Sequence, residues 1–515
     1  MKLGSLRHWS TAAGAVVAEL PDDLDIELLF AALRQLDGLL FLDSSSASGV
    51  GEESRPDSGD EGATGRSLDR YSFLAADPIY RFTLPVTGAT GAQVRGTLAE
   101  ARRLLGECHC PTIPGLPPFQ GGLAGLISFD AGLAHLGLPA CPQPLGPPLL
   151  ELGVYDVVFA IDHQRQRVWA ISQGVPARGP GARRRRAMER LEGQFAVLEA
   201  GDGGRSPSAA LHAGPRSAAV SLPAAAPSGL VPLPGSRGVF STHSPADYQA
   251  MVQSGIDFVR AGDIFQVNLA QQFSVPAACD AWDLYRQARR LNPAPFAGFF
   301  AVGDSYIASM SPERFLKVRR DRVWMHPIKG TRRILASPEA DLWAGADLGA
   351  SEKDRAENVM IVDLVRNDLA RVCRPESVSV EALCRLERFR YVQHLVSVVT
   401  GRLAEGAGPL DAVLASFPGG SVTGAPKHRA CEIIGELERV ARGAYCGSLG
   451  YVGFDGSADF NLLIRTFIAR PQEILFSAGG GITVGSEPAA EHAESLHKAE
   501  GMLRVIAVVT GEELR

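Results

Sequence analysis

Short apolar runs bounded by polar turns alternate along this chain with stretches of helical periodicity, which predicts a mixed fold of many strands and fewer helices. Leu39-Leu40-Phe41-Leu42 stops at Asp43-Ser44-Ser45-Ser46, and Arg70-Tyr71-Ser72-Phe73-Leu74 stops at Asp77-Pro78. Each is a strand followed by a turn. Residues 119–126 form a glycine-rich apolar segment without the Gly-Lys-Ser/Thr ending of a phosphate loop, so these glycines are structural. A helix is expected over 182–199, where Arg183 to Arg186 reads as a solvated face. In the second half, Ser244 or Asp247 caps a helix over 244–260 with Met251, Ile256 and Val259 inward, and Gly262-Asp263 ends it. A strand over 264–273 follows, with Gln266 and Asn268 on one face. Further strands are expected over 296–301, 305–309 and 322–325, and a helix over 359–372.

Two stretches break this pattern. Residues 44–66 are rich in Ser, Gly and acids and read as a mobile loop. Residues 201–237 are dominated by Ala, Gly, Pro and Ser, which bury too little apolar area to offset ordering entropy. The chain therefore divides into an N-terminal region, 1–175, a helix and linker, 176–240, and a C-terminal domain, 241–515.

Composition narrows the class. Of 515 residues, 45% are hydrophobic and 21% charged, ordinary for a globular protein. A net charge of −6 argues against a general nucleic-acid or membrane-surface binder. No apolar run approaches a spanning helix, and the first twenty residues carry no secretory pattern, so a cytoplasmic location is expected. The eight cysteines read as scattered reduced thiols, since Cys108-His109-Cys110 lacks zinc spacing.

The chemistry-bearing residues gather beyond residue 300. Lys329, between Ile328 and Gly330, follows a strand; an isolated lysine is ordinarily a solvated charge, but one in a partly apolar site loses hydration and becomes a nucleophile. Glu313, in Ser311-Pro312-Glu313, also stands near a strand end, and a carboxyl could protonate a leaving oxygen while an amine attacks carbon, although sequence alone does not show that the two face each other. Asp354 and Glu357 share a helix face, as do Glu487, Glu491, Glu494 and Lys498 on a later helix. Each set reads alone as a dipole partner or a salt-bridged face; two such helices close in space make an oxygen-rich Mg²⁺ site. Ala478-Gly479-Gly480-Gly481 and PGGSVTGAPK at 418–427 read as loops whose N–H groups suit carboxylates. Arg465, expected inside an apolar strand, suits a bidentate carboxylate clamp. A dicarboxylate with a metal fits this set better than a nucleotide.

These residues carry a family resemblance. GDIFQVNL at 262–269, SPERF at 311–315, ENVMIVDLVRND at 357–368, PGGSVTGAPK at 418–427 and the glycine run leading to Glu491 and Glu494 resemble the chorismate-utilising enzymes over roughly 240–515. Residues 20–170 look like the N-terminal part of their anthranilate/aminodeoxychorismate synthase branch. Gln266 stands where isochorismate and salicylate synthases carry a water-activating lysine. Lys329 stands where anthranilate synthases usually have alanine and aminodeoxychorismate synthases have lysine.

The resemblance implies an α+β fold in which two antiparallel sheets pack as a sandwich ringed by helices. It implies Mg²⁺ on Glu357 and Glu494, with Asp354 and Glu491 acting directly or through water. It implies chorismate held by Arg465, Lys498, Gly481, Thr331, His394, Gln266 and Thr423, and Lys329 as nucleophile with Glu313 as acid. From the residues alone, His394 reads equally as a core histidine. The implied product is 4-amino-4-deoxychorismate, for 4-aminobenzoate and folate biosynthesis. No glutaminase nucleophile elbow is found in the sequence, so a separate glutamine amidotransferase subunit is the implied ammonia source. Asp43, Ser44, Arg70 and Tyr71 resemble the region where relatives hold tryptophan. The rival readings are anthranilate synthase component I and a catalytically idle ligand-binding homologue.

Overall fold

Strands such as Val157–Asp162 and Leu150–Tyr155 are buried at every position, so both faces of their sheets must be covered. The computed structural model describes residues 3–22, 24–44, 70–139, 146–201, 229–276, 279–334, 337–388 and 392–511. The stretches expected to be a mobile loop and a linker lie largely outside these residues. Among the described residues the strands form two antiparallel sheets, one of fourteen strands and one of ten. A shared core lies between them, built from alternate residues such as Val17, Leu40, Phe73, Val158 and Ile307 of the first sheet with Ala124, Leu126 and Leu449 of the second. The intervening residues Ala18, Phe41, Leu74, Phe159 and Ala308 point outward into a second core. That core is completed by helices Ile26–Leu33, Pro180–Gly201, Ala281–Leu291 and Pro488–Thr510. The expected α+β sandwich ringed by helices is what forms.

The two expected regions do not form separate sheets. In the large sheet, Leu40–Asp43 of the N-terminal region pairs with Phe296–Val302, Ala297 opposite Asp43. In the other, Gly122–Ile127 pairs with Ser448–Gly453. Both sheets thus run across the division at 176–240, which separates two lengths of chain and not two cores.

Local signals place the elements well. Ser244 caps Pro245–Ala261 through a reciprocal box with Asp247, and Gly262 ends it at φ 83°. Arg322–Met325 and Gln266–Val275 form where strands are expected. The arginine run is half a correction, since Arg184 and Arg185 are exposed as expected. Arg183 and Arg186 are half-buried on Pro180–Gly201 and donate to the carbonyls of Ala177 and Val175; they fasten the preceding turn and are not a solvated face.

Behind the site, Arg442 ties three segments together. It donates to Asn268 O at 2.7 Å and Val422 O at 2.9 Å and pairs with Glu438 at 2.6 Å, while Glu438 also accepts from Ala270 N. Both side chains are less than a tenth exposed. Removing one partner of a buried pair leaves the other charge unmatched. Arg442→Met is therefore expected to cost about 3–5 kcal/mol, read as a lower urea midpoint at unchanged slope. Arg442→Met with Glu438→Gln should recover part of the loss.

Candidate active site

The site is built where the end of the large sheet meets the edge of the smaller one. Gln266–Val275 pairs with Glu473–Ile482 in the large sheet, Asn268 opposite Gly481 and Ala270 opposite Gly479. Lys329 lies on the edge strand Ile328–Arg333, paired with Val392–Arg402. Helix Glu352–Ala370 packs on both of those strands, and helix Pro488–Thr510 packs on Glu473–Ile482. Two carboxylate-bearing helices are thereby brought to one place.

Residues 479–481 are not a loop, as the sequence reading expects, but the last part of a strand. Their lack of side chains is what admits the neighbours. A Cβ on Gly481 would stand 2.1 Å from Gln266 Nε2 and 3.6 Å from Lys329 Nζ. One on Gly480 would stand 3.0 Å from Glu491 Oε2, 3.7 Å from Glu494 Oε1 and 3.8 Å from Lys498 Nζ. The glycine run is therefore the floor over which lysines, carboxylates and the Gln266 amide converge.

Lys329 is half-buried, and burial pushes its pKa below the ordinary lysine value, with Lys498 adding to the effect. Glu357, Glu313 and Glu494 oppose the shift. Glu313 is buried, and loss of hydration raises its carboxyl to about 7 against the opposing pull of Ser421 and Lys329. Both groups meet at one residue: Ser421 Oγ donates to Glu313 Oε1 at 2.9 Å, and Lys329 Nζ donates to Ser421 O at 3.4 Å. A lysine biased toward its neutral form beside an acid biased toward its protonated form has the chemistry that a nucleophile and a proton donor require.

The four expected metal ligands stand around this pair. Burial raises the Glu357 carboxyl, and Asp354 and Glu491 add repulsion. Glu491 is buried and accepts from Ser486 Oγ at 2.7 Å, while Glu494 is exposed and pairs with Lys498 at 2.7 Å. Asp354 lies against Gly330, with Arg332 at 3.7 Å. Among the described residues no three His, Cys, Asp or Glu side chains converge closely enough to hold an ion by themselves. The donor chemistry still fits Mg²⁺, which takes one or two carboxylates and completes its shell with water and an anionic ligand. Glu487 precedes the helix as its N-cap position and makes no capping bond.

The remaining expected residues divide. Lys498 Nζ donates to Gly479 O at 3.0 Å and reaches the floor. Gln266 is buried, and among the described residues its Oε1 has no hydrogen-bond partner. His394 is buried, and loss of hydration together with the Arg465 charge lowers its pKa to about 4 against the opposing bond to Gly330; it is neutral at pH 7. Arg465 is not inside a strand. It sits at φ 52° in the bend between Ala458–Asn461 and Thr466–Arg470, exposed, where the chain turns it out of the sheet. Thr423 is fully buried and its hydroxyl donates to Gly419 O at 2.9 Å, so its side chain shapes the 418–427 turn. Lys427 in that segment is likewise structural, paired with Asp368 at 2.7 Å. Thr331 lies in the Lys329 strand, but its side chain falls outside the described residues.

A cavity of about 510 Å³ opens between the sheets and is lined by Asp43, Ser44 and Tyr71 among others. Asp43 is spent on Ser72, Tyr285 and Arg289. Arg70 does not line the cavity; it makes a bidentate bond to Asp162. Pro312, Arg314 and Ile328 do line it, and they are chain neighbours of Glu313 and Lys329. His326 and Lys317, which motif reading passed over, also face it; burial lowers their pKa values to about 3 and about 8.

The sequence matches the profile of the chorismate binding enzymes over residues 68–504. It is 37% identical over 446 residues to aminodeoxychorismate synthase component 1 of Klebsiella aerogenes, spanning 84% of this chain and 90% of that one. It is also 37% identical over 439 residues to anthranilate synthase component 1 of Streptomyces coelicolor, spanning 85% and 81%. Among solved structures it is similar to anthranilate synthase component I from Streptococcus pneumoniae, with TM-score 0.68 and 29% identity over 89% of this chain and 94% of that one. No helix among the described residues is long and apolar enough to cross a membrane.

Proposed function

The chain belongs to the chorismate-binding enzyme family, and from that premise we propose that it acts as component I of an aminodeoxychorismate synthase. Overall identity does not choose between the two named activities, since relatives of both kinds stand at 37%. The observation that carries the choice is Lys329, desolvated, joined to Glu313 through Ser421 and standing over Gly481.

In this reading Arg465 and Lys498 hold the carboxylates of chorismate, and the Gln266 amide lies against Gly481. Glu357 and Glu494, with Glu491 and Asp354 beside them, would hold Mg²⁺, which when bound would supply positive charge to a substrate carboxylate. The neutral amine of Lys329 forms a bond to ring C2, the two ring double bonds shift, and the C4–O bond breaks. Glu313 gives its proton to the departing hydroxyl, which leaves as water. Ammonia then bonds to C4, the double bonds shift back, and the C2–N bond to Lys329 breaks. The enolpyruvyl group is kept, so the product is 4-amino-4-deoxychorismate, a precursor of 4-aminobenzoate. Free ammonia is scarce at neutral pH, so a docked glutamine amidotransferase subunit is its source. The 510 Å³ cavity has the size and mixed lining of a small-molecule site and is read as the tryptophan region, without Arg70.

Anthranilate formation is the second reading, favoured by the equal identity to the Streptomyces enzyme. Product identification separates the two. The pure chain with chorismate, ammonium salt and Mg²⁺ is expected to yield 4-amino-4-deoxychorismate by mass, and turnover should disappear with a chelator. Anthranilate and pyruvate would refute the assignment, and no turnover would favour a binding protein.

A further inference from the structure

We propose that Ser421 is a positioning residue that sets the acid and the amine together, its hydroxyl orienting Glu313 and its carbonyl orienting Lys329. The inference rests on the proposed roles of those two residues.

Ser421 stands in a turn bonded on both sides. Thr423 Oγ1 closes it onto Gly419 O, Arg442 binds Val422 O, and Asn268 N binds Thr423 O at 2.7 Å. Gly420 faces Leu364 of helix Glu352–Ala370, where a Cβ would come within 2.7 Å of Leu364 Cδ2. The neighbouring carbonyls at Gly419, Val422 and Thr423 are taken by these bonds, and that of Ser421 receives Lys329 Nζ. On the other side, Glu313 is fixed at its backbone: its N–H donates to Ser311 Oγ and its carbonyl accepts from Leu462 N. Only the carboxyl can turn, and among the described residues Ser421 Oγ is its hydrogen-bond donor, at Oε1.

That geometry has a direction. With Oε1 receiving the serine proton, Oε2 is the oxygen left to carry the transferable one. Lys329, with one N–H committed to Ser421 O, has its remaining valences set relative to the same residue. The charged and titratable groups facing Glu313 are Lys329 on its strand and Cys446 in the turn before Ser448–Gly453. Neither supplies a hydrogen bond to the carboxyl, so neither can orient it. The serine bond also favours the ionised carboxylate.

The test uses Ser421→Ala and Ser421→Thr in the full chain. The Glu313 carboxyl is titrated by infrared difference, using the band that Glu313→Gln removes. Ser421→Ala is expected to move the midpoint upward from about 7. It should lower kcat roughly 10- to 100-fold with KM within about twofold, since a small misplacement of a reacting group costs that much. Ser421→Thr, which keeps the hydroxyl, is expected to restore both. An unmoved midpoint in Ser421→Ala overturns the link to Glu313; a moved midpoint with kcat intact overturns the positioning role. Full activity in Glu313→Gln would sink the acid role while leaving the titration to judge Ser421 on its own.

Discussion

Replacing Lys329 with alanine is expected to lower turnover at neutral pH on the order of 10²-fold or more, because the covalent route disappears and ammonia must attack unaided. Parent enzyme quenched during turnover should carry substrate mass on the peptide containing Lys329, and the variant should carry none. The pH dependence gives a second reading. In Lys329→Ala, at a fixed concentration of free ammonia, the residual rate depends on protonated Glu313, so it should fall as pH rises through that group's pKa. The lysine charge holds Glu313 down in the parent; its loss moves this fall above about 7. Turnover at the parent rate to the same product would reduce Lys329 to a binding charge.

Glu313→Gln removes the proton donor and keeps the shape. General acid assistance is worth about 10²–10⁴-fold, so a loss in that range is expected in kcat with little change in KM. The parent profile should be a bell, because the productive state holds one proton on the pair, on Glu313 and not on Lys329. Its two apparent pKa values belong to the pair. In Glu313→Gln only the lysine titrates. The residual rate should therefore rise with pH through the lowered lysine pKa and show no alkaline fall. A surviving bell of the parent shape would assign the proton to another group.

Both predictions rest on residues that were legible before any fold was known. Lys329 and Glu313 stand in motifs whose roles the family resemblance supplies, and Asp354 with Glu357, and Glu491 with Glu494, recur at helical spacing on two helices. The elements that carry them were legible too, since capping at Ser244, the stop at Gly262 and apolar runs such as Arg322–Met325 are decided by neighbours a few residues away. What such local signals do not encode is which distant strand lies alongside.

That is where the expectations changed. Pairing of Ala297 with Asp43 and of Ser448 with Ile127 merged two presumed regions into common sheets. Pairing of Gly481 with Asn268 turned a supposed anion loop into the floor of the site. A left-handed residue between two strands took Arg465 out of the sheet and exposed it. Thr423 and Ser421, two residues apart in one turn, parted company: one hydroxyl closes the turn and the other reaches Glu313, 108 positions earlier. The sequence by itself determined the residue types, the helical and strand periods and the family. The tertiary structure alone decided which backbone groups were already taken by ladder and turn bonds, and hence which side chains and carbonyls remained to meet a substrate, because those bonds join segments far apart along the chain.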